Sequence, residues 1–337
     1  MNVLVSGATG FVGGTITRHL LAAGYSVRAL SRSIERARTK FAATAECHAA
    51  LTEGRLTFVS GDVTRPETLR AAVRGVQAVV QAAQFTGAPV EDPARGLTYM
   101  DVDRNGTLNL LGAIAEVYGR VTAGPTMARF AGDSPRFLYV SGITVSAQPR
   151  TTWDRAKWQA EEAIKSSGLE WTIVRACWMY GPNDTALNRI LGYSDYLPFV
   201  PIFGDGQGLL TPLYVEDMGR LFVACLGAPA ETSDITLGVG GPDQVTLDTF
   251  LGVALAMMGR KRPVLHIPKG LGKVQGTLMQ RLPGRPLSPD AVDFVSQAGY
   301  ITEEDRRVLT GRLPGFKTTP LREGLSYLRS EKAHPEP

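Results

Sequence analysis

The chain has 337 residues, 44% of them hydrophobic, and a formal charge of +4 at neutral pH, enough length and apolar content for one large folding unit with a smaller one attached. Its longest apolar runs, around 221–227 and 250–258, are about half the ~20 residues of a membrane span, and Met1-Asn2 runs straight into a strand pattern instead of a leader, so a cytoplasmic protein is expected. Cys47, Cys177 and Cys225 are odd in number and far apart, and His19, His48, His266 and His334 form no ligand motif, so neither a disulfide framework nor a metal is expected.

The apolar run Asn2-Val3-Leu4-Val5 predicts a short buried strand, and a helix-like run follows over 14–23. Between them Ser6-Gly7-Ala8-Thr9-Gly10-Phe11-Val12-Gly13 places three glycines at spacings of three. A dinucleotide pyrophosphate requires this arrangement. Gly7 permits the tight turn, Gly10 lets backbone approach the diphosphate, and Gly13 lets the helix pack while its N-terminal amides face the anion. Gly7, Thr9, Gly10, Phe11, Val12 and Gly13 are the expected contacts.

A second strand is predicted over 25–30, and its end runs Arg28-Ala29-Leu30-Ser31-Arg32-Ser33, with no carboxylate before Glu35. An acidic residue there would favour NAD; arginine accommodates a 2′-phosphate. Arg32, with the Ser31 hydroxyl and Arg36, therefore points to NADP(H) over NAD(H), against the plainer reading of a solvated start to a basic helix over 32–44. After a third strand over 56–60, Asp62 and Val63 suit the adenine edge or a simple helix-entry turn. A helix over 66–74 with Thr64 as N-cap leads to a fourth strand over 78–81, and Ala82 and Ala83 just beyond it are further expected dinucleotide contacts. Next come a helix over 102–117, a Gly-, Ala- and Pro-rich surface insertion over 119–134, and a fifth strand over 137–141. A helix over 155–167, closed by Gly168, and a sixth strand over 171–175 follow.

Strands alternating with helices predict an α/β protein, a Rossmann-type doubly wound parallel sheet over 1–181. Beyond Gly181-Pro182 the pattern breaks into Pro- and Gly-punctuated pieces. These predict a smaller C-terminal substrate or partner domain over 182–211 and 229–337, with the chain returning to the sheet at about 212–228. From Thr249 to Pro289 there is no Asp or Glu, while Arg260, Lys261, Arg262, Lys269, Lys273, Arg281 and Arg285 supply seven positive charges. The segment 260–285 suits a substrate phosphate, an acidic protein partner or an anionic membrane surface, which would hold the protein peripherally at the inner face of a membrane. The alternative is a solvated basic face. Nucleic acid is not expected, because no aromatic residues interleave the charges.

The glycine fingerprint, Gly61-Asp62-Val63, the segment from Val102 to Leu111, Phe137-Leu138-Tyr139-Val140-Ser141, Arg175 with Tyr180-Gly181-Pro182, Phe203-Gly204-Asp205-Gly206 and Tyr214-Val215-Glu216-Asp217-Met218 resemble the extended short-chain dehydrogenase/reductases. The resemblance covers nearly the whole chain. It is greatest to the atypical branch containing the nucleotide-binding accessory subunit of respiratory complex I, with sugar-nucleotide epimerases more distant. Leu287-Ser288-Pro289-Asp290-Ala291-Val292 is similar to that branch as well.

The resemblance implies a Tyr-x-x-x-Lys pair and a serine or threonine after the fifth strand, the phenol acting as acid/base. Here the pair reads Trp153-Asp154-Arg155-Ala156-Lys157, and Gly142 stands where the hydroxyl belongs, with Ser141 and Thr144 as near substitutes. An indole N–H is neither a proton acceptor nor a useful acid, so chemistry worth ~10²–10⁴ in rate is absent at that position. Lys157 is left to bind the nicotinamide ribose, or to form a helix-surface pair with Glu161 four residues on. Tyr180, Cys177, Tyr214 and Asp154 are expected neighbours of the nicotinamide. Two functions compete: a nucleotide-binding protein with a structural, sensing or assembly role, and an active NADP-dependent oxidoreductase or epimerase acting on a quinone-like, isoprenoid or nucleotide-linked substrate through another acid.

Overall fold

The computed structural model describes residues 1–85, 90–123, 127–130, 133–279, 289, 292–293 and 299–333. Arg281 and Arg285 of the basic segment, and residues 287, 288, 290 and 291 of the Leu287–Val292 stretch, lie outside them.

Seven parallel strands form the main sheet: β1 (Asn2–Ser6), β2 (Ser26–Ser31), β3 (Leu56–Ser60), β4 (Ala78–Gln81), β5 (Arg136–Gly142), β6 (Trp171–Ala176) and β7 (Ile235–Val239). Their spatial order is β3-β2-β1-β4-β5-β6-β7. All are parallel because each returns through a crossover, and burial on both faces explains the continuous apolar runs. Every residue of β5 is buried. The chain reverses direction across the sheet between β1 and β4, where Ser6 lies in register with Gln81. That switch point opens the crevice in which doubly wound sheets bind ligands.

Alternate side chains face opposite layers. Val3 and Val5 pack with α1 (Phe11–Ala22), α7 (Val215–Gly227) and α10 (Glu303–Arg312), through Ile16, Leu20, Leu221, Phe222 and Leu309. Leu4 faces the other layer with α4 (Gly106–Tyr118) and α5 (Thr152–Lys165), through Leu110, Ile114, Ala160 and Ile164. A separate core joins Tyr180, Leu187, Ile190, Phe250, Leu251 and Leu321 from α6 (Thr185–Tyr196), α8 (Leu247–Met257) and the C-terminal segment.

Several expected elements differ. The sheet has a seventh strand, since Ile235 pairs with Thr172 and Val239 with Ala176, beyond the predicted return at 212–228. The helix expected over 32–44 is α2 (Ile34–Ala42), capped by the Ser33 hydroxyl accepting from the Arg36 N–H, and a further helix that was not expected, α3 (Ala45–Thr52), follows it. Thr64 caps nothing, because its N–H and hydroxyl both donate to Asp62 Oδ1 at 2.9 Å; a 3₁₀ turn at Pro66–Thr68 and a short helix at Arg70–Val73 replace the single helix. The helix expected from 102 opens as a π-helical stretch, Met100–Asn105. Within the 119–134 insertion, Arg120–Ala123 pairs antiparallel with Met127–Phe130. Gly168, at φ +83°, follows α5 in the left-handed conformation that glycine tolerates.

The returning helix α7 lies flat on α1 because Gly219 has no side chain; a Cβ there would stand 2.1 Å from His19 Cδ2. Glu216, at the start of α7, then accepts from Arg18 Nη2 at 2.5 Å and His19 Nε2 at 2.7 Å. Burial alone would raise the Glu216 carboxyl, but the hydrogen bonds from His19 and Arg18 and their charge outweigh it and hold it below its ordinary range. A depressed carboxyl stabilises the fold above its unfolded pKa, and that stabilisation is lost as pH falls through the folded value. Glu216→Gln is therefore expected to cost about 1 kcal/mol near pH 6, with the difference from wild type shrinking as pH falls towards 3 in urea unfolding. A difference independent of pH would show that Glu216 is not the tie.

Candidate functional site

At the C-terminal end of β1, Gly7 adopts φ +65°, and a Cβ there would lie 2.6 Å from the Ala82 carbonyl oxygen and 2.7 Å from Ala83 Cα. The turn thus presses against the end of β4. Gly13 is equally constrained, since its Cβ would stand 2.3 Å from Gly7 O. Gly10 differs: its φ is −77° and its Cβ would touch only Gly7 O, at 3.1 Å. A Cβ has no room at 7 or 13, whereas at 10 it would press on one backbone oxygen only and the exposed backbone is open to a ligand. No side chain caps α1, and its first turn has no acidic residue, so the amides of Phe11, Val12 and Gly13 suit an anion. These features fit a dinucleotide pyrophosphate.

The groups around this turn are held from below. Ser6 Oγ lies on Gln81 Oε1 and accepts from the Ala82 and Ala83 N–H groups at 3.2 and 3.3 Å, while Gln81 Nε2 donates to Thr107 Oγ1 at 3.1 Å. Lys40 Nζ donates to the Thr9 carbonyl at 2.7 Å. Ser31 Oγ donates to the Ser33 carbonyl and accepts from the Ser33 N–H, which fixes the end of β2. Arg32 and Arg36 are exposed beside it. Val63 is buried against Gly106, and Asn109 Nδ2 donates to its carbonyl at 2.8 Å.

Lys157, 3% exposed, does not pair with Glu161. Its Nζ meets Asp103 Oδ1 at 3.0 Å, donates to the Val140 carbonyl at 3.1 Å and sits 4.9 Å from the Tyr139 ring centre. Asp103 is fully buried, and its Oδ2 accepts from the Phe85 N–H at 3.0 Å. Burial alone would lower the Lys157 pKa, but Tyr139 and Asp103 outweigh it and raise it; the ammonium is retained. Burial pushes the Tyr139 hydroxyl up to about 12, so this neighbouring phenol offers no phenolate near neutral pH. Nothing in the local sequence marks Asp103, which stands between Asp101 and Arg104-Asn105.

Glu161 binds Arg175 instead, Nε to Oε1 at 3.0 Å and Nη2 to Oε2 at 2.6 Å, and accepts from Ser141 Oγ at 2.6 Å. The Ser141 hydroxyl is thereby committed. So is that of Thr144, which donates to Asp154 Oδ1 at 2.8 Å, while Asp154 Oδ2 completes a capping box with Thr151 at the start of α5. Cys177 is buried against Thr211 Oγ1 at 3.0 Å, and burial pushes its thiol up to about 12. Tyr180 is fully buried among Tyr214, Phe250 and Leu321, with its hydroxyl raised by burial. Tyr214 is half-buried and its hydroxyl is raised for the same reason.

Trp153 and Gly142 meet. A Cβ on Gly142 would stand 2.1 Å from Trp153 Cη2, so the indole occupies the space of the missing side chain. Its other neighbours include Phe85, Tyr99 and Ala156. The two departures from the resembling pattern are one packing change.

A family model described as NAD dependent epimerase/dehydratase matches residues 3–239. Subunit 9 of the NADH dehydrogenase [ubiquinone] 1 alpha subcomplex from Arabidopsis thaliana is 29% identical over 44% of this chain and 37% of its own. A farnesyl-dihydroquinoline-oxide ketoreductase from Stigmatella aurantiaca is 26% identical over 86% of this chain and 83% of its own. A UDP-glucuronic acid 4-epimerase variant from Bacillus cereus, solved with a fluorinated UDP-sugar and NAD, superposes with a TM-score of 0.70 at 19% identity over 99% of this chain and all of its own. The chain spans less than two thirds of the length of the first curated relatives it matches.

The indole's seat has a measurable consequence. Gly142→Ala is expected to cost ~1–3 kcal/mol by forcing the ring aside, and Trp153→Ala in the same chain should recover part of it. In a double-mutant cycle by urea unfolding, a coupling of at least ~0.5 kcal/mol is expected; strict additivity would show that the two positions do not touch.

Proposed function

Because the chain belongs to the NAD dependent epimerase/dehydratase family, we propose that it binds NADP(H) at the β1–α1 turn and lacks the tyrosine-based proton transfer of active relatives. Its role is structural, sensing or assembly-related, exerted through a partner. The observation that carries this reading is the Trp153 indole filling the space over Gly142, since no hydroxyl can stand at either position. The pyrophosphate rests on the amides of Phe11, Val12 and Gly13 beneath the open backbone of Gly10, with Thr9 beside it and the adenine near Asp62 and Val63. Arg32 takes the 2′-phosphate; it is exposed and has no ion-pair partner among the described residues. Lys157, its ammonium held by Asp103 and the Val140 carbonyl, takes the nicotinamide ribose. When bound, NADP(H) supplies a hydride donor or acceptor. Similarity to a complex I subunit supports the partner role.

A second reading is favoured by one observation: the ketoreductase matches over 86% of this chain, about twice the share matched by the complex I subunit. On that reading the protein reduces or epimerises a quinone-like, isoprenoid or nucleotide-linked substrate, with water or another side chain as proton donor.

Calorimetry tests the cofactor assignment. A charge-assisted contact from Arg32 should make NADP(H) bind roughly 10- to 100-fold more tightly than NAD(H), and Arg32→Ala should abolish the gap. Gly10→Val should stay folded yet lose the nucleotide. Equal affinities, or binding unchanged in Gly10→Val, would remove the site. Rapid NADPH consumption with quinones or sugar nucleotides, unaffected by Trp153→Phe, would decide for the second reading.

A further inference from the structure

A strand at Val264–Ile267 lies parallel to Val200–Phe203, and Pro268 leads from it into α9 (Lys269–Met279). Gly272 and Gly276, one turn apart, are the buried side of this helix. A Cβ on Gly272 would stand 2.5 Å from Phe203 Cδ1, so α9 lies flat on the aromatic ring. Leu271, Val274 and Leu278 project elsewhere, at 61%, 60% and 63% exposure, and Leu265 on the preceding strand is 46% exposed. At 3.6 residues per turn the three helical side chains fall within about 60° of one another, well away from the glycines. A lone exposed leucine needs no explanation, but a stripe of three does.

The chain segment that carries the stripe is basic. No Asp or Glu occurs from Thr249 to Pro289. Arg260 is paired with Asp195 at 2.5 Å and Lys273 with Asp293 at 2.9 Å. Lys261, Arg262 and Lys269 are exposed, with no ion-pair partner among the described residues. A second copy docking through this face about a two-fold axis would bring the same cations together, which disfavours self-association. No helix among the described residues is long and apolar enough to cross a membrane, and a short apolar stripe in a chain segment with uncompensated cations suits the plane of a lipid surface. We propose that α9 and Leu265 form a docking surface for an anionic phospholipid membrane, with Leu271, Val274 and Leu278 entering the acyl boundary and Lys261, Arg262 and Lys269 meeting the headgroups. This goes beyond the nucleotide-binding proposal and does not depend on it.

Sedimentation of the full chain with vesicles provides the test. Uptake by vesicles containing phosphatidylglycerol should exceed uptake by phosphatidylcholine vesicles by roughly tenfold or more and fall with added salt. Leu271→Asp with Leu278→Asp should abolish it, and Lys261→Glu with Arg262→Glu and Lys269→Glu should abolish the anionic preference, both without loss of NADP(H) affinity. Cys47, Cys177 and Cys225 are buried, so a polarity-sensitive dye on Val274→Cys reports α9 selectively; its emission should shift to the blue with anionic vesicles and stay unshifted without them. Three results would overturn the proposal: wild-type protein left in the supernatant with both vesicles, uptake unaffected by the aspartate pair, or no vesicle uptake together with a solution dimer that Leu278→Asp dissociates. The last would assign the stripe to a second copy.

Discussion

The close packing of the β1–α1 turn against the end of β4 governs the rest of the structure. Gly7 has no room for a Cβ because Ala82 and Ala83 lie against it, and Gly13 has none because the Gly7 carbonyl does. Strand, turn and helix are thereby brought close enough that the first amides of α1 point into the crevice at the sheet's switch point. Ser6 extends the constraint downwards, accepting from Ala82 and Ala83, and Gln81 links it to Thr107 on α4. The turn is thus tied to both helical layers.

Around that turn, buried charge is arranged so that each ionic group has a partner. Asp103 with Lys157 and Glu161 with Arg175 cross between neighbouring elements, the first pair fully buried and the second with only the arginine partly exposed. Such pairs add little net stability compared with apolar side chains, but removing one partner leaves an uncompensated charge and costs several kcal/mol. Asp217 does similar work in α7, where Thr319 donates to it through both its N–H and its hydroxyl at 2.7 Å and so holds the C-terminal segment against the sheet. The Glu161–Arg175 pair occupies the hydroxyl of Ser141 and the Asp103 pair a donor of Lys157, while the capping carboxylate Asp154 occupies the hydroxyl of Thr144.

The crevice therefore has an intact means of holding a dinucleotide beside an altered reaction centre. An indole packs on a glycine there, and burial raises the pKa of the nearby Tyr139, Cys177 and Tyr180.

Much of this was legible in the chain. The strand, three glycines and helix at 2–23 lie within one local window whose spacing is readable from the sequence, although the atoms that exclude a Cβ at Gly7 belong to Ala82 and Ala83, far along the chain. The alternation of apolar strands with helices gave the α/β class and six of the seven parallel strands, and Trp153 and Gly142 were visible as departures. Other features needed the tertiary structure. β7 joins the sheet from a segment whose short apolar run resembles the loops around it, and only pairing with β6 defines it. Lys157 chooses Asp103 over Glu161, although Glu161 is four residues away on the same helix, because β5 and the π-helical stretch bring the buried carboxylate to its ammonium while Arg175 claims the other. That the indole occupies the space of the missing side chain at 142 follows from the approach of α5 to the end of β5. Local spacing determines turns and periodicity, whereas the partner of a buried charge or a missing Cβ is set by elements distant in sequence that only folding brings together.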